Sequence, residues 1–90
     1  MTLLELTKAR LEIRNNIRDE FLTVLTEVAE KEITREGITL DITDMDDLDL
    51  VADYTAYLYR KRNSDDPAMP RSLRYRLNNR LMAEKGAANV

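Results

Sequence analysis

Hydrophobic residues between positions 44 and 63 recur at the helical period and fall into two separate stripes. The first stripe is the ordinary core face of an amphipathic helix and contains Leu48, Val51, Ala52, Thr55, Leu58 and Tyr59. The second has spacings of four, three and four residues and contains Leu50, Tyr54, Tyr57 and Lys61. Because a helix of a small bundle normally uses one face for its own core, the second stripe predicts contact with a neighbouring molecule. The alternative is that the tyrosines are half-buried with their hydroxyl groups in water.

Two helices are predicted before this stretch. Thr2 and Glu5 form a capping box that starts a first helix at about residues 3–13. The polar pair Asn15–Asn16 breaks that helix and caps a second one at about residues 17–36.

The second predicted helix carries a wide apolar surface. At the helical period its apolar residues cover an arc of about 180°, and they are Ile17, Phe21, Leu22, Val24, Leu25, Val28, Ala29 and Ile33. So wide an arc should contact more than one other helix, which predicts that this helix is the centre of the bundle. Gly37 then stands where a left-handed residue would end the helix.

Residues 37–43 alternate apolar and polar side chains, which is typical of an extended segment. A single strand cannot satisfy its own backbone hydrogen bonds. The segment is therefore expected to pack as a loop over the core, and the alternative is pairing with a strand of another chain.

The last predicted helix runs from about Pro70 to Lys85, with Pro70 suited to the first helical position and Gly86 to the stop. It follows a turn cluster at residues 63–67. Its apolar residues form a stripe of Leu73, Leu77 and Leu81 and a second column of Tyr75 and Met82.

These elements predict an all-α fold. The expected architecture is a compact bundle of four helices with one short extended segment between the second and third helices. Residues 1–86 would form a single domain, followed by a mobile C-terminal tail at residues 87–90.

Charge is distributed unevenly along the chain. Residues 1–59 contain 6 basic and 14 acidic residues, a net charge of −8, whereas residues 60–90 contain 8 basic and 3 acidic residues, a net charge of +5. Oppositely charged ends can attract each other between copies, in a head-to-tail contact that closes into rings or extends into filaments. Attraction within one monomer is the alternative.

The residue types available argue against an enzyme. The chain has neither cysteine nor histidine, so most nucleophilic triads, zinc sites and neutral-pH proton shuttles are unavailable. The aspartates around position 47 lack the spacing, glycine and closing glutamate of a calcium loop and are better explained as an acidic helix start. We expect no cofactor, no metal, no small-molecule substrate and, since no apolar run is long enough, no membrane span.

The C-terminal third carries a basic cluster of Arg60, Lys61, Arg62, Arg71, Arg74, Arg76 and Arg80. Docking onto an acidic protein surface is the favoured interpretation, and a solvated basic face that offsets acidic neighbours is the alternative. A DNA-binding regulator is a third hypothesis, but the arginines of the last helix flank its leucines on both sides instead of forming one groove-facing row. The predicted interface set is therefore Leu50, Tyr54, Tyr57, Lys61, Arg71, Arg74, Arg76 and Arg80.

The order of these pieces resembles a known family. A short Leu-rich helix leads to a long amphipathic helix ending in glycine, then to a helix reading DLDLVADYTAYLYRKRN and a Pro-led final helix reading MPRSLRYRLNNRL. This arrangement, with the Tyr57-Leu58-Tyr59-Arg60 run in the third helix, is similar to the small head–tail connector (adaptor, head-completion) proteins of long-tailed bacteriophages and prophages.

The resemblance implies a non-enzymatic virion protein at the head–tail interface, made in the host bacterial cytoplasm. It implies a ring of about a dozen copies beneath the portal protein, which extends the DNA channel without sequence-specific DNA binding and docks the stopper or tail protein. The alternative hypothesis is a small acidic helical adaptor or regulatory protein outside phages that acts by protein–protein contact.

Overall fold

Four helices make up the described part of the chain, and in order they are α1 (Leu3–Leu11), α2 (Asp19–Arg35), α3 (Met45–Lys61) and α4 (Arg71–Ala88). This computed structural model describes residues 2–62 and 68–88. No strand occurs in those two ranges, so the predicted all-α bundle of four helices is confirmed. The predicted turn at residues 63–67 and the last two tail residues lie outside them.

Local side-chain chemistry sets the ends of α1. The Thr2 hydroxyl accepts a hydrogen bond from the Glu5 N–H at 3.2 Å, and the Glu5 carboxylate accepts one from the Thr2 N–H at 3.0 Å, which confirms the capping box. Glu12 adopts the left-handed region at φ 58° and ends the helix two residues earlier than predicted. Asn15 accepts a hydrogen bond from the Ile17 N–H, but the N-cap of α2 is Arg18, which makes no side-chain cap.

The predicted helix boundaries after α2 are confirmed in part. Gly37 follows α2 with a φ of 106°, a conformation that favours glycine. Asp44 caps α3 by accepting a hydrogen bond from the Asp46 N–H at 2.9 Å. Gly86 does not end α4, because the helix continues to Ala88. The predicted start of the tail at residue 87 is therefore helical instead.

Residues 37–43 form a loop, as expected, whose first half packs over the core, while Ile42 is 73% exposed. Ile38 is only 1% exposed. The N–H of Thr39 donates to Glu84 at 2.9 Å, the carbonyl of Thr39 accepts from Arg80 at 2.9 Å, and the N–H of Asp41 donates to Asp47 at 2.8 Å. Side chains of α3 and α4 thus bond three backbone groups of this loop.

The centre of the bundle is α3, which contacts each of the other three helices, whereas the sequence predicted α2. Small residues allow this close packing, since Ala52, Thr55 and Ala56 are buried. The Thr55 hydroxyl donates a hydrogen bond to the carbonyl of Val51 at 2.7 Å. A helix that is apolar on most of its circumference belongs in the interior.

The second stripe of α3 faces this interior. Leu50 is 2% exposed and Tyr54 is 7% exposed, and both belong to the core with Ala29, Ile33, Ile38, Val51, Leu73 and Leu77. Burial also raises the pKa of the Tyr54 hydroxyl. Tyr57 is half-buried against the core, with its ring edge-on to Tyr54 at a centroid separation of 5.8 Å. The prediction that this stripe contacts a neighbouring molecule was wrong for Leu50 and Tyr54, because α1, α2 and α4 enclose both faces of α3.

Tyr54→Ala should lower the free energy of unfolding by about 3–5 kcal/mol, the usual loss for a truncated core aromatic residue. Its matched control is Tyr75→Ala, because Tyr75 is 68% exposed on α4 and its truncation should change stability by no more than about 0.5 kcal/mol. Urea denaturation followed by circular dichroism measures both. Equal losses for the two variants would contradict the assignment of Tyr54 to the core.

Candidate functional site: an apolar face on α2

A row of exposed apolar side chains runs along the outer side of α2. Ile17, in the turn before the helix, is 87% exposed, Phe21 is 37% exposed, Val24 is 55% exposed and Val28 is 39% exposed. The helical period places Phe21, Val24 and Val28 in one narrow row of α2, and Ile17 precedes the helix at the same spacing of four residues. We call this row the α2 stripe.

The opposite side of α2 faces the core. Leu22, Thr26, Ala29 and Ile33 are buried at a similar spacing, and Leu25 between the two rows is half-buried. The wide apolar arc read from the sequence is therefore two separate faces. One packs on the bundle, and the other, the α2 stripe, contacts solvent.

A group of aromatic and cationic side chains continues the α2 stripe at its N-terminal end. The rings of Phe21 and Tyr59 are 6.3 Å apart between centroids. The Arg62 guanidinium lies 4.5 Å from the Phe21 ring and 5.5 Å from the Tyr59 ring, and the Arg18 guanidinium lies 5.6 Å from the Tyr59 ring. Cation–π contacts of this kind keep the aromatic rings at the surface in fixed positions.

The arginines of α4 are largely paired within the monomer. Arg76 reaches Asp49 at 3.2 Å and Asp53 at 2.9 Å on α3. Arg10 of α1 approaches the same two carboxylates, at 2.7 Å and 3.6 Å. This hydrogen bond from Arg10 is the main reason why the pKa of Asp49 lies below its ordinary value, and the nearby charges of Arg10 and Arg76 add to it against the opposing effect of burial.

Two further arginines of α4 form ion pairs around the loop. Arg74 contacts Glu36 at 2.6 Å. Arg80 contacts Asp47 at 3.1 Å and Glu84 at 3.4 Å. These pairs favour the alternative in which the acidic and basic parts of the chain attract each other within one monomer. They also occupy side chains that the DNA-binding hypothesis needs for phosphate contacts.

The predicted interface set is thus not one surface. Lys61 and Arg71 are exposed, and the Lys61 ammonium lies 5.7 Å from the Tyr57 ring. The other six members contribute to the core or to ion pairs between helices. The sequence-based prediction assigned the residues of the α2 stripe and the core residues of α2 to one apolar face. The stripe and the row that begins at Leu22 each have a regular spacing and are offset from each other, and this offset is the signal that could have separated them.

The described part of the chain has one small cavity and open surface clefts of about 490, 470 and 370 Å³. One cavity of about 10 Å³, lined in part by Leu40, Leu48 and Val51, is at the lower limit for a single water molecule. Within residues 2–62 and 68–88, no three acidic side chains are grouped so that they could hold a metal ion. None of the helices described is both long and apolar enough to cross a membrane.

Comparisons with known proteins gave no relative. The chain matches no protein-family model, no curated protein and no solved structure at a significant level.

The Asp49 carboxylate should make the free energy of unfolding depend on pH. Because its pKa is lowered in the folded state, the stabilisation is fully present above the unfolded-state pKa of about 4 and is lost as the pH falls through the lower folded-state value. We expect Asp49→Asn to reduce the free energy of unfolding at pH 7 by up to about 1 kcal/mol, as for a partly exposed ion pair.

Urea denaturation, repeated at pH values from about 2 to about 7 in steps of about one pH unit, measures this dependence. The difference between wild type and Asp49→Asn should shrink below about pH 4. Glu27→Gln, an exposed change on α2 outside the network, controls for the general loss of a carboxylate. A difference that grows in acid would contradict the role given to Arg10 and Arg76.

Proposed function

We propose that this chain is a structural virion protein, a head–tail connector subunit that assembles into a ring under the portal protein. In this role it extends the DNA channel and docks the stopper or tail protein at the head–tail interface. Two observations support the proposal: the order and character of the helices, which resemble that family, and the apolar α2 stripe.

The α2 stripe is the observation that carries the proposal. Contiguous apolar patches on the surface of a soluble protein mark interaction sites, whereas single exposed hydrophobic residues are normal. Burying such a row in an assembly stabilises the contact by roughly 25 cal/mol for each Å² of apolar surface removed from water. Phe21, Val24 and Val28 follow one side of α2, with Ile17 in the turn before it, a shape suited to a second helix from another subunit.

The internal ion pairs suit a subunit that keeps its shape during assembly. Arg10 connects α1 to α3, Arg76 connects α4 to α3, and Arg74 connects α4 to the end of α2. With these charges paired internally, the proposed contact between subunits rests mainly on apolar surface, and only charges outside the ion pairs remain for its rim. The ion pairs match the alternative left open by the sequence, in which the acidic and basic parts attract each other within one monomer.

The second candidate is a helical adaptor outside phages, and the same stripe favours it because a row this narrow can also hold one helix of a partner. The two candidates differ in stoichiometry. A connector forms rings of many copies, whereas an adaptor binds its partner in small fixed numbers.

Native mass spectrometry and negative-stain electron microscopy of the chain, alone and with the portal protein encoded by the same genome, test the proposal. We expect ring-sized complexes of about a dozen copies, as in the resembled family. Val24→Asp should abolish them while leaving the helical circular dichroism unchanged, because a charge in the centre of an apolar contact loses its water without gaining a partner.

The matched control is Thr23→Asp, which adds the same charge at an exposed position of α2 roughly a third of a turn from the stripe. It should still form rings. A chain that stays monomeric with and without the portal protein would contradict the connector proposal, and a one-to-one complex with another protein would favour the adaptor.

A further inference from the structure

A second exposed stripe lies on α4 and matches the first in spacing. Tyr75 is 68% exposed and Met82 is 72% exposed. Between and beyond them the exposed residues Arg71, Asn78 and Lys85 complete a row with spacings of four, three, four and three. We call this row the α4 stripe.

The α2 stripe has the same periodicity when it is extended by the exposed Lys31. Each stripe then spans five positions at alternating spacings of four and three, the pattern with which two helices pack along a shared seam. Val24 is the central residue of the α2 stripe and Asn78 is the central residue of the α4 stripe.

The charges beside the two stripes are complementary. Glu20 and Glu27 are exposed on one flank of the α2 stripe. The α4 stripe itself carries the two basic residues Arg71 and Lys85 near its ends and no acidic residue. A contact between the two stripes would place Glu20 and Glu27 beside basic side chains at its rim. Lys31, at the end of the extended α2 stripe, would instead lie near Lys85 or Arg71, according to the helix direction, so this end of the contact must leave its charges in water.

We propose that the α2 stripe of one copy packs against the α4 stripe of a second copy. The inference rests on the proposed function, since it identifies the neighbour that an assembling subunit contacts. Phe21, Val24 and Val28 would then be covered by Tyr75 and Met82 of the next copy. The aliphatic stems of Lys31 and Lys85 would extend the apolar seam, with their charges remaining in water.

The charges also select against the simplest alternative, a symmetric contact between two α2 stripes. In an antiparallel pair of α2 helices the flank with Glu20 and Glu27 meets the same flank of the other copy, so like charges face each other. The contact between different stripes avoids this repulsion between glutamates, since the α4 stripe carries no acidic residue.

The pairing of two different surfaces determines the type of assembly. Each copy keeps one unused α2 stripe and one unused α4 stripe after it has bound a neighbour. Such a heterologous contact adds further copies until it closes into a ring or continues as a filament.

Disulfide trapping tests the contact. Because the chain contains no cysteine, only the introduced thiols can form a disulfide. Val24→Cys protein, labelled with ¹⁵N, is mixed with unlabelled Asn78→Cys protein under mild oxidation. Both residues are central, so they face each other whether the helices run parallel or antiparallel. We expect the mixed dimer, identified by mass, to form about tenfold faster than the dimer of a control mixture of Val24→Cys with Ala9→Cys, which places the thiol at an exposed position of α1.

Charge reversal provides an independent readout. Glu20→Lys with Glu27→Lys should slow formation of the mixed dimer, and adding Arg71→Glu with Lys85→Glu to the partner protein should restore it. Restoration requires contact between the two stripes, because damage to the fold of one subunit would not be repaired by a change in the other.

Each outcome decides the inference. Trapping no faster than the Ala9→Cys control, or faster trapping of Val24→Cys with itself, overturns it. Rings that form around the portal protein without the mixed dimer overturn the inference and leave the proposed function standing. A mixed dimer in a chain that never forms rings with the portal protein supports this contact and contradicts the connector function.

Discussion

The enclosure of α3 on both of its faces is the constraint on which the rest of the structure depends. Its small residues, Ala52, Thr55 and Ala56, allow close approach, while Leu50 and Tyr54 fill the space toward α2 and α4. Because one helix takes up so much of the interior, the others need to contribute only one narrow row each. The outer sides of α2 and α4 are consequently left in solvent, including their apolar residues.

Charge reinforces this arrangement. The N-terminal half of α3 presents carboxylates that meet guanidinium groups from helices distant in sequence, with Asp49 contacted by both Arg10 and Arg76. Asp47, only 5% exposed, joins the loop before α3 to Arg80 of α4. A partly buried carboxylate with several donors is held in one position, so these contacts fix the direction of α4 relative to α3. The basic residues that remain at the surface of α4 are those that point away from α3.

The sequence predicted the positions of the four helices correctly, but it did not predict which apolar helix faces are buried. Short-range chemistry determines the helix ends, so the cap at Thr2 and the left-handed glycine at position 37 could be identified from a few residues each. Which of two apolar faces is covered depends instead on the packing of distant helices, which periodicity alone does not encode. The sequence therefore placed the free face on α3 at Tyr54, whereas the structure places it on α2 at Val24. Similarly, the net charge of each half of the chain did not show that the arginines of α4 have partners on α3.

α2, and not α3, carries the exposed apolar surface that we propose contacts a neighbouring molecule. Solvent paramagnetic relaxation enhancement of methyl resonances, measured with a soluble gadolinium chelate on the monomer and on the assembled protein, tests this claim most directly. The account predicts strong broadening of the Val24 and Val28 methyl signals in the monomer and their protection in the assembly, with the Leu50 methyl signals protected in both. Strong broadening of the Leu50 signals in the monomer, or Val24 and Val28 signals that remain broadened in the assembly, would contradict it.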